Sequence, residues 1–250
     1  MTGTLLLVPA PLDLGTEETP LQDVLPRGVI QRAAGLGHWV AEDARSARAF
    51  LKRVHAMVPL TLPLQAIQIT ELPRPRKGSR EALPAEAWRA LLQPALEGHD
   101  LGLISEAGLP AVADPGAALV AEAHQAGVPV LPLPGASSLL LTLAASGLNG
   151  QSFAFVGYLP QEAAARTARI RELEALSRRL QQTQLVIETP YRNAALFDAL
   201  LGTCRPQTLL CVASDLSLPT ETVATRRVAD WRKARRPDLD KRPTVFLLLA

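Results

Sequence analysis

One stretch of the sequence concentrates residues that could do chemistry. Residues 104–116 read ISEAGLPAVADPG and contain two acids, two glycines and two prolines. Gly108 and Gly116 allow positive φ or a close approach of the backbone to a ligand, whereas Pro110 and Pro115 fix φ and remove N–H donors. The stretch therefore predicts a stiff loop rich in free carbonyl oxygens. Such a loop suits a ligand that brings hydrogen-bond donors, and it does not suit a phosphate, which needs converging N–H groups.

A purely structural interpretation of the same loop stays open. Asp114 could cap the N-terminus of a following helix, with Pro115 at the first helical position. Capping accounts for both of these residues. It explains Glu106 and the Gly-Leu-Pro turn at 108–110 less well, so a ligand site remains the alternative.

Several other chemistries lack their sequence signals. The chain has no G-x-x-x-x-G-K-[ST], and no G-x-G-x-x-G follows its first strand, which argues against nucleoside triphosphates and dinucleotides. Its four histidines are scattered singly, so we predict no metal site. Ser137 and Ser138 lie in no G-x-S-x-G elbow and are interpreted as helix caps. Cys204 and Cys211 are too few for a disulfide framework and are expected to be reduced and structural.

The loop must be positioned by the strand before it. Short apolar runs bounded by Pro and Gly alternate with helical patterns, which is typical of βα units and largely parallel sheets. Strands are predicted at Thr4–Val8, Gly37–Val40, Leu101–Ile104, Val128–Leu133, Phe153–Val156, Leu185–Ile187, Thr208–Ala213 and Val245–Leu249. Ligands of open α/β sheets bind beyond the carboxyl ends of strands, where the 104–116 loop should emerge.

Two further patterns concern organisation. In residues 161–182, Ile170, Leu173, Leu176 and Leu180 recur at helical spacing and predict one buried face. The stretch LPLPGASS at 131–138 ends a strand-like segment, and we place a domain boundary there. The prediction is an α/β protein with an N-terminal domain at 1–133 and a C-terminal domain at 134–250.

Composition limits the partners. Hydrophobic residues make up 48% of the chain and aromatic residues only 4%, which argues against aromatic platforms for stacking bases. The formal net charge is only +2, so contacts to nucleic acid would have to come from local basic segments, at 72–80 and 225–242. The apolar start is too short for a transmembrane helix and lacks the basic region of a signal peptide, so a cytoplasmic protein without a membrane partner is expected.

Six motifs, in order, resemble those of the S-adenosylmethionine-dependent tetrapyrrole methylase-fold family. The resemblance is closest to its branch of bacterial small-subunit ribosomal RNA 2′-O-ribose methyltransferases. The matching stretches are Val8–Leu12 (V-x-T-P-I in that branch), Ala41–Arg45 (A-E-D-T-R), Ser105–Gly116 (S-D-A-G-T-P-x-I-x-D-P-G), Pro132–Gly135 (P-L-P-G), Gly157–Pro160 (G-F-L-P) and Ile187–Arg192 (F-Y-E-S-P-H-R).

The resemblance implies two α/β domains with S-adenosylmethionine in the cleft between them, in a homodimer. Carried over position by position, it places the cofactor against Pro11, Ser105, Glu106, Ala107, Gly108, Pro110, Ala113, Asp114, Gly116, Gly135, Ala136, Ser137 and Ser138. It places five charged residues at the substrate side or in the cleft as catalytic candidates: Glu42, Asp43, Arg45, Glu188 and Arg192.

The chain departs from that branch mainly on the acceptor side. Asp13-Leu14 replaces Gly-Asn, Ala44 replaces threonine, Tyr191 replaces histidine, and Lys241-Arg242-Pro243 replaces Lys-Gly-Glu. On the cofactor side, Glu106 replaces aspartate. The branch's histidine-rich stretch is also missing between the second and third motifs.

Three functions follow from these features. The chain could methylate RNA, using its basic segments for phosphate contacts. It could instead methylate a tetrapyrrole or another small molecule, or bind the cofactor without catalysis. If the acceptor arrives protonated, Glu42, Asp43 and Glu188 are the candidate bases. Each could instead be only a structural ion-pair partner, Asp43 with Arg45 or Glu188 with Arg192.

Overall fold

The protein is described by a computed structural model over residues 2–13, 19–73 and 84–250. It divides into two compact units, residues 1–136 and 137–250. The sequence-based boundary, between residues 133 and 134, falls just before this division. Both units combine helices with a β-sheet, which confirms the α/β class.

The first unit is built from βα repeats. Its elements in chain order are β1 (Leu5–Leu7), α1 (Leu21–Val24), α2 (Arg27–Gly35), β2 (His38–Ala41), α3 (Ala44–Met57), β3 (Gln68–Glu71), α4 (Ala85–Leu91), α5 (Gln93–Leu96), β4 (Leu101–Ile104), α6 (Ala117–Gln125) and β5 (Val130–Pro132). The strands form a sheet in the order β3-β2-β4-β1-β5, and every neighbouring pair is parallel.

Burial explains why these strands lie where they do. All four residues of β4 are buried, as expected for a central parallel strand covered on both faces. Gly102 in β4 lies directly against the ring of Trp39 in β2, where a Cβ would come within 2.6 Å of the ring. Because the sheet is parallel, the segments that follow β1, β2 and β4 emerge at one edge.

The second unit contains a mixed sheet. Its elements are α7 (Ser138–Ser146), β6 (Phe153–Tyr158), α8 (Ala163–Leu180), β7 (Thr183–Ile187), a 3-10 turn (Pro190–Arg192), α9 (Asn193–Thr203), β8 (Leu209–Ser214), β9 (Thr222–Arg227), α10 (Val228–Trp231) and β10 (Thr244–Leu249). The strand order is β6-β7-β10-β8-β9. Strand β10 runs antiparallel to β7 and β8, and β8 runs antiparallel to β9, so the expectation of largely parallel sheets is wrong for this unit.

Helix α8 corrects a second expectation. Ile170 and Leu173 are fully buried, as the spacing predicts, but Leu180 is 49% exposed at the last helical residue. Glu174 is buried instead, because its carboxylate accepts hydrogen bonds from the backbone N–H of Arg205 and the hydroxyl of Thr208. A polar side chain on the buried face is thus satisfied by the loop before β8.

Both cysteines belong to the core of the second unit. Cys204 follows α9 and Cys211 lies in β8, and both are buried free thiols. Burial is the largest cause that raises the pKa of each thiol, and it brings that of Cys204 to about 12. Within the described ranges, no helix is both long and apolar enough to span a bilayer.

Candidate functional site

The loop after β4 is tied to two other motifs of the first unit. Ala10 and Gly108 exchange both backbone hydrogen bonds, with N···O distances of 3.0 and 2.8 Å. The Glu42 N–H donates to the carbonyl of Ile104 at 3.0 Å, and the Glu42 carboxylate accepts from the Glu106 N–H at 3.2 Å. The segments after β1, β2 and β4 are therefore fixed to one another by both backbone and side-chain hydrogen bonds.

The backbone of this loop is strained as well as clamped. Gly108 and Gly116 have φ of 78° and 128°, which glycine tolerates. Ala111 and Ala113 both have φ of 66°, in the left-handed region that costs a residue with a Cβ roughly 1–2 kcal/mol. Such outliers concentrate at functional sites, where the surrounding structure holds them in place.

Asp114 does not cap helix α6, so the capping interpretation is wrong. The helix begins at Ala117, its N-cap residue is Gly116, and no side-chain capping bond is made to the described residues. The positive φ of Gly116 turns the chain into the helix, which leaves Asp114 outside the first turn. Pro115 likewise lies before the helix rather than at its first position.

The Asp114 carboxyl instead faces other acids. Burial is the largest cause that raises its pKa, followed by the nearby Glu42 carboxylate, with a smaller contribution from Glu106. The hydroxyl of Ser105 acts in the opposite direction, and the net result is a pKa of about 7. A carboxyl with such a pKa is more readily protonated near neutral pH than an ordinary aspartate.

Several polar groups around the loop make no hydrogen bond, by distance and angle, to the described residues. Ser105 is 4% exposed, and by distance and angle its Oγ has no hydrogen-bond partner in the described part of the chain, although it lies close enough to Asp114 to lower its pKa. The carbonyl oxygens of Ala107, Pro110 and Ala113 accept no hydrogen bond from any described residue. Buried polar groups are usually paired, so the Ser105 hydroxyl suits a polar ligand. Ala107 is half-buried and Ala113 is exposed, so their carbonyls can accept from a ligand or from water.

A cavity of about 460 Å³ adjoins the loop. Its volume lies in the range of small-molecule sites. The lining combines the apolar Pro11 and Phe50 with serines and charges of both signs, among them Asp13, Asp43, Arg45, Ser46, Arg53, Ser105 and Glu106. No group of three or more His, Cys, Asp or Glu side chains in residues 2–13, 19–73 and 84–250 is placed to hold a metal ion.

Asp43 and Arg45 lie at the start of α3. Asp43 is the N-cap residue, and its Oδ1 accepts from the N–H and the hydroxyl of Ser46 at 2.7 and 2.8 Å. The next N–H, of Ala44, donates to the carboxylate of Glu71 at 3.0 Å. Asp43 therefore has a capping role that its sequence motif did not indicate. Arg45, one residue further into the helix, is exposed.

Gly135 has a packing role. A Cβ on this residue would lie 2.4 Å from Cγ of Pro9, so only glycine lets the segment after β5 pass the segment after β1. Ala136 is the last residue of the first unit. Ser137 is the N-cap residue of α7, which begins at Ser138. The Ser137 side chain makes no capping bond to a described residue.

The candidate residues of the second unit form an ion pair. The Glu188 carboxylate is 1% exposed, and its Oε1 accepts from Nη2 of Arg192 at 2.6 Å and from the N–H of Thr189 at 2.7 Å. Glu188 and Arg192 therefore form the ion pair that was the alternative to a catalytic role for Glu188.

A second polar cluster of this unit was missed from the sequence. Asp215 follows β8 and is 4% exposed; its Oδ2 accepts from Nε of Arg242 at 2.7 Å and from the hydroxyl of Thr220 at 2.8 Å. The amide of Asn193 donates to the carbonyl of Arg242 at 2.7 Å. The only sequence signal was the departure Lys241-Arg242-Pro243 from the related pattern.

Half of the basic residues between 226 and 242 make intramolecular contacts. Arg226 lies over the ring of Trp231, at 4.8 Å from its centroid, and Arg232 donates to the carbonyls of Leu201 and Cys204. Arg236 pairs with Asp198 and Arg242 with Asp215. The remaining four are exposed: Arg227, Lys233, Arg235 and Lys241. Of the other basic segment, residues 72 and 73 are described and 74–80 lie outside the described residues.

Comparison with known proteins identifies relatives. Two proteins named ribosomal RNA small subunit methyltransferase I are similar to this chain. The protein of Vibrio cholerae is 34% identical, in an alignment that covers 57% of this chain and 48% of the relative. The protein of Halalkalibacterium halodurans is 30% identical, in an alignment that covers 80% of this chain and 60% of the relative. The chain spans about half the length of the curated relatives it matches.

Solved structures and a family profile agree on the fold. The crystal structure of the methyltransferase CobJ matches with a TM-score of 0.58 at 19% identity, covering 99% of this chain and 94% of that one. The structure of uroporphyrin-III-C-methyltransferase from Thermus thermophilus matches with a TM-score of 0.52 at 20% identity, covering 100% of this chain and 93% of that one. The profile of the Tetrapyrrole (Corrin/Porphyrin) Methylases matches residues 29–231. The chain belongs to this family.

Proposed function

We propose that the protein is an S-adenosylmethionine-dependent methyltransferase. The observation that carries this proposal is the clamped loop of a tetrapyrrole methylase chain, which presents a buried hydroxyl, acidic groups and carbonyls that accept no hydrogen bond from the described residues. S-adenosylmethionine supplies an electrophilic methyl group on a cationic sulfur. Its ribose hydroxyls and amino groups are hydrogen-bond donors, so it fits this set of acceptors, and the proposed cofactor-binding residues are those the motifs predict.

The chain's contribution to catalysis would be mainly positional. Methyl transfer is an in-line displacement, so holding the acceptor and the methyl carbon in near-attack geometry accounts for much of the rate. The clamp between Ala10, Gly108 and Glu42 gives the loop the rigidity that such positioning needs. Glu42, Asp43 and Glu188 all make structural hydrogen bonds, which weakens each as a general base.

We propose RNA as the acceptor, through a ribose 2′-hydroxyl of ribosomal RNA, in the processing of ribosomal RNA in the cytoplasm. The names and identities of the curated relatives support this choice. The exposed basic residues Arg227, Lys233, Arg235 and Lys241 support it further, since solvent-accessible cations are suited to phosphate contacts.

A second candidate is methylation of a tetrapyrrole or another small molecule. The solved structures of the same fold include uroporphyrin-III-C-methyltransferase and cobalt precorrin-4 methyltransferase. A 460 Å³ cavity with charges of both signs could take a small polar acceptor. Cofactor binding without turnover is the remaining alternative.

Calorimetric titration with S-adenosylhomocysteine tests the cofactor site. Gly108 has φ of 78°, and open space surrounds the position of a Cβ. The variant Gly108→Ala therefore adds only backbone strain, whereas Gly108→Arg adds the same strain and bulk. We expect micromolar binding by the wild type and by Gly108→Ala, and none by Gly108→Arg. Failure of folded wild-type protein to bind would refute the methyltransferase proposal.

Transfer of a labelled methyl group tests the acceptor. The small ribosomal subunit, its naked RNA and uroporphyrinogen are offered in parallel to the wild type and to Gly108→Arg. Label on RNA at a ribose identifies the first function, and label on the tetrapyrrole identifies the second. Cofactor binding with no label on any acceptor of a cell extract favours the non-catalytic alternative.

We also propose that the protein forms a homodimer. Strand β6 is an edge strand, and Phe153 and Phe155 on one of its faces are exposed. Exposed aromatic side chains on a strand edge are typical of association surfaces. Light scattering should give twice the chain mass for the wild type, and the chain mass for Phe153→Ser combined with Phe155→Ser.

A further inference from the structure

A buried carboxylate joins helix α8 to the loop before β8. Glu174 lies on the buried side of α8 and is 6% exposed. Its Oε1 accepts from the backbone N–H of Arg205 at 2.7 Å and from the hydroxyl of Thr208. Because burying a carboxylate is costly unless it is hydrogen-bonded, these bonds hold the loop at 205–208 against the middle of the helix.

This arrangement brings together three arginines from two separate segments. Arg171 and Arg178 lie three residues before and four residues after Glu174, so they are its immediate neighbours on the helix surface. The backbone of Arg205 is bonded to the same glutamate. All three arginines are exposed. We call Arg171, Arg178 and Arg205 the α8 patch.

No described residue forms an ion pair with the α8 patch. Both acids of α8 are engaged elsewhere, since Glu174 is buried and bonded to the loop, whereas Glu172 pairs with Arg169 at 2.6 Å. The neighbouring helix α10 contributes one exposed acid, Asp230. The patch is therefore a surface of net positive charge.

The patch continues into a segment that is already proposed to contact RNA. The Ala229 N–H donates to the carbonyl of Pro206 at 3.0 Å, and the Val228 N–H donates to that of Thr208 at 2.9 Å. The end of β9, which carries the exposed Arg227, therefore lies against the same loop. Cations from α8, from this loop and from β9 thus share one edge of the second sheet.

The α8 patch is separate from the polar residues that follow β7 and β8. It borders the start of β8, whereas Glu188 and Asp215 follow the ends of β7 and β8. Both strands run antiparallel to β10, so their ends share one edge of the sheet and their starts share the other. The six residues of β8 separate the two edges by about 20 Å.

We propose that the α8 patch binds phosphates of ribosomal RNA outside the nucleotide that is methylated. This inference rests on the proposed function. Arginine suits the role because its guanidinium is always charged and matches phosphate oxygens with paired N–H donors. Arg171 and Arg178 are separated by about 10 Å along the helix, so they contact different phosphates. Such contacts add affinity and fix the orientation of the RNA without reading its sequence.

Binding to naked small-subunit RNA over a salt series tests the inference. The wild type is compared with a variant that combines Arg171→Gln, Arg178→Gln and Arg205→Gln. The slope of log affinity against log salt should become shallower by about 2 in this variant, at roughly 0.7 for each lost contact to single-stranded RNA. The ratio of wild-type to variant affinity should therefore shrink roughly twentyfold from about 50 to about 200 mM salt. Each single substitution should account for about a third of the change in slope.

Two further variants serve as controls. Lysine at the same three positions keeps the charge, so it should keep the wild-type slope. Combined substitution of Arg27, Arg32 and Lys52 by Gln removes equal charge from exposed positions of the first unit. This second control should also keep the wild-type slope, because these residues do not belong to the patch.

Kinetics distinguish the patch from the methyl-transfer site. The glutamine variant of the patch should bind S-adenosylhomocysteine as the wild type does. Its KM for RNA should rise while kcat stays within about twofold of the wild-type value, since phosphate contacts bind the ground state and the transition state equally.

Four outcomes would overturn the inference. An unchanged slope in the folded glutamine variant, when the wild type binds and methylates RNA, overturns it and leaves the proposed function standing. An equal change of slope in the first-unit control would show that only net charge matters. Weaker binding to the intact small subunit alone, with naked RNA bound as before, would assign the patch to a ribosomal protein. If folded wild-type protein neither binds nor methylates RNA, the proposed acceptor fails and this inference fails with it.

Discussion

At the scale of single residues, acids that look alike in sequence have different roles. Asp43 caps a helix, Glu188 accepts hydrogen bonds from Arg192 and Thr189, and Asp114 faces other carboxyls. The sequence identified the loop by its glycines, prolines and acids, because composition alone signals a stiff turn after a strand. It could not assign these roles, since each depends on a partner brought in by folding, such as Glu42 for Asp114.

The Asp215–Arg242 pair gives the first prediction, which concerns stability. Arg242→Gln leaves the buried Asp215 carboxylate without its charged partner, and we expect a loss of about 2–3 kcal/mol in the free energy of unfolding. Arg235→Gln, in the same segment but exposed, should change it by less than about 0.5 kcal/mol. Urea denaturation measures both. Equal stability of the two variants would mean that the pair contributes nothing.

At the scale of elements, hydrophobic patterning located the apolar strands, including the partly exposed β5 and β6, and missed two polar strands, β3 and β9. Leu101–Ile104 was predicted with its observed bounds, because an apolar run between polar boundaries is the signal of a central strand. Strand β3 (QITE) and strand β9 (TVATRR) lie at sheet edges, and their mostly exposed, polar residues gave no such signal. Strand β9 was instead assigned in part to the basic segment.

The start of helix α3 gives a second prediction, which separates capping from catalysis. Asp43→Ala removes the acceptor for the Ser46 N–H and should destabilise the fold by about 1 kcal/mol. Asp43→Ser supplies a capping hydroxyl but no base. It should recover most of the stability lost in Asp43→Ala, and its rate of methyl transfer should stay within a few-fold of the wild-type rate. Denaturation and the labelled transfer assay check the two parts. A stable Asp43→Ser protein that lacks activity would restore Asp43 as a candidate base.

The strained loop gives a third prediction at the same scale. Ala113→Gly relieves a left-handed φ of 66° but increases the freedom of the unfolded chain. The two effects oppose each other. Because the relief of backbone strain is larger than the entropy gained by the unfolded chain, we expect the free energy of unfolding to rise by up to about 1 kcal/mol. Ala117→Gly, at the first residue of α6, is a control without left-handed strain and should lower stability. A loss of stability in Ala113→Gly would show that the loop is unstrained.

At the scale of the whole molecule, net charge says little about where RNA would bind. The formal charge of +2 results from 26 basic and 24 acidic residues, and in the 225–242 segment several arginines bind acceptors of the second unit itself. The number of cations in this segment is evident from the sequence. The sequence does not show which of these cations have intramolecular partners, because partners such as Asp198 and Asp215 lie elsewhere in the chain.

A fourth prediction follows for RNA affinity. Combined substitution of Arg227, Lys233 and Arg235 by Gln should weaken binding to small-subunit RNA about equally for all sequences, because phosphate contacts carry no base specificity. The slope of log affinity against log salt should fall by about 0.7 per lost contact to single-stranded RNA. Filter binding over a salt series measures this. An unchanged slope in a folded variant would place the RNA contacts elsewhere.

The buried thiols allow local unfolding of the second unit to be measured. Burial raises the pKa of the Cys204 thiol to about 12, so at pH 7 the side chain is the unreactive thiol. Neither thiol reaches solvent in the native fold, and both lie in residues 137–250. A maleimide pulse should therefore label the chain only while α9 or β8 is transiently detached. The labelling rate then gives the local unfolding equilibrium of this unit without any engineered probe.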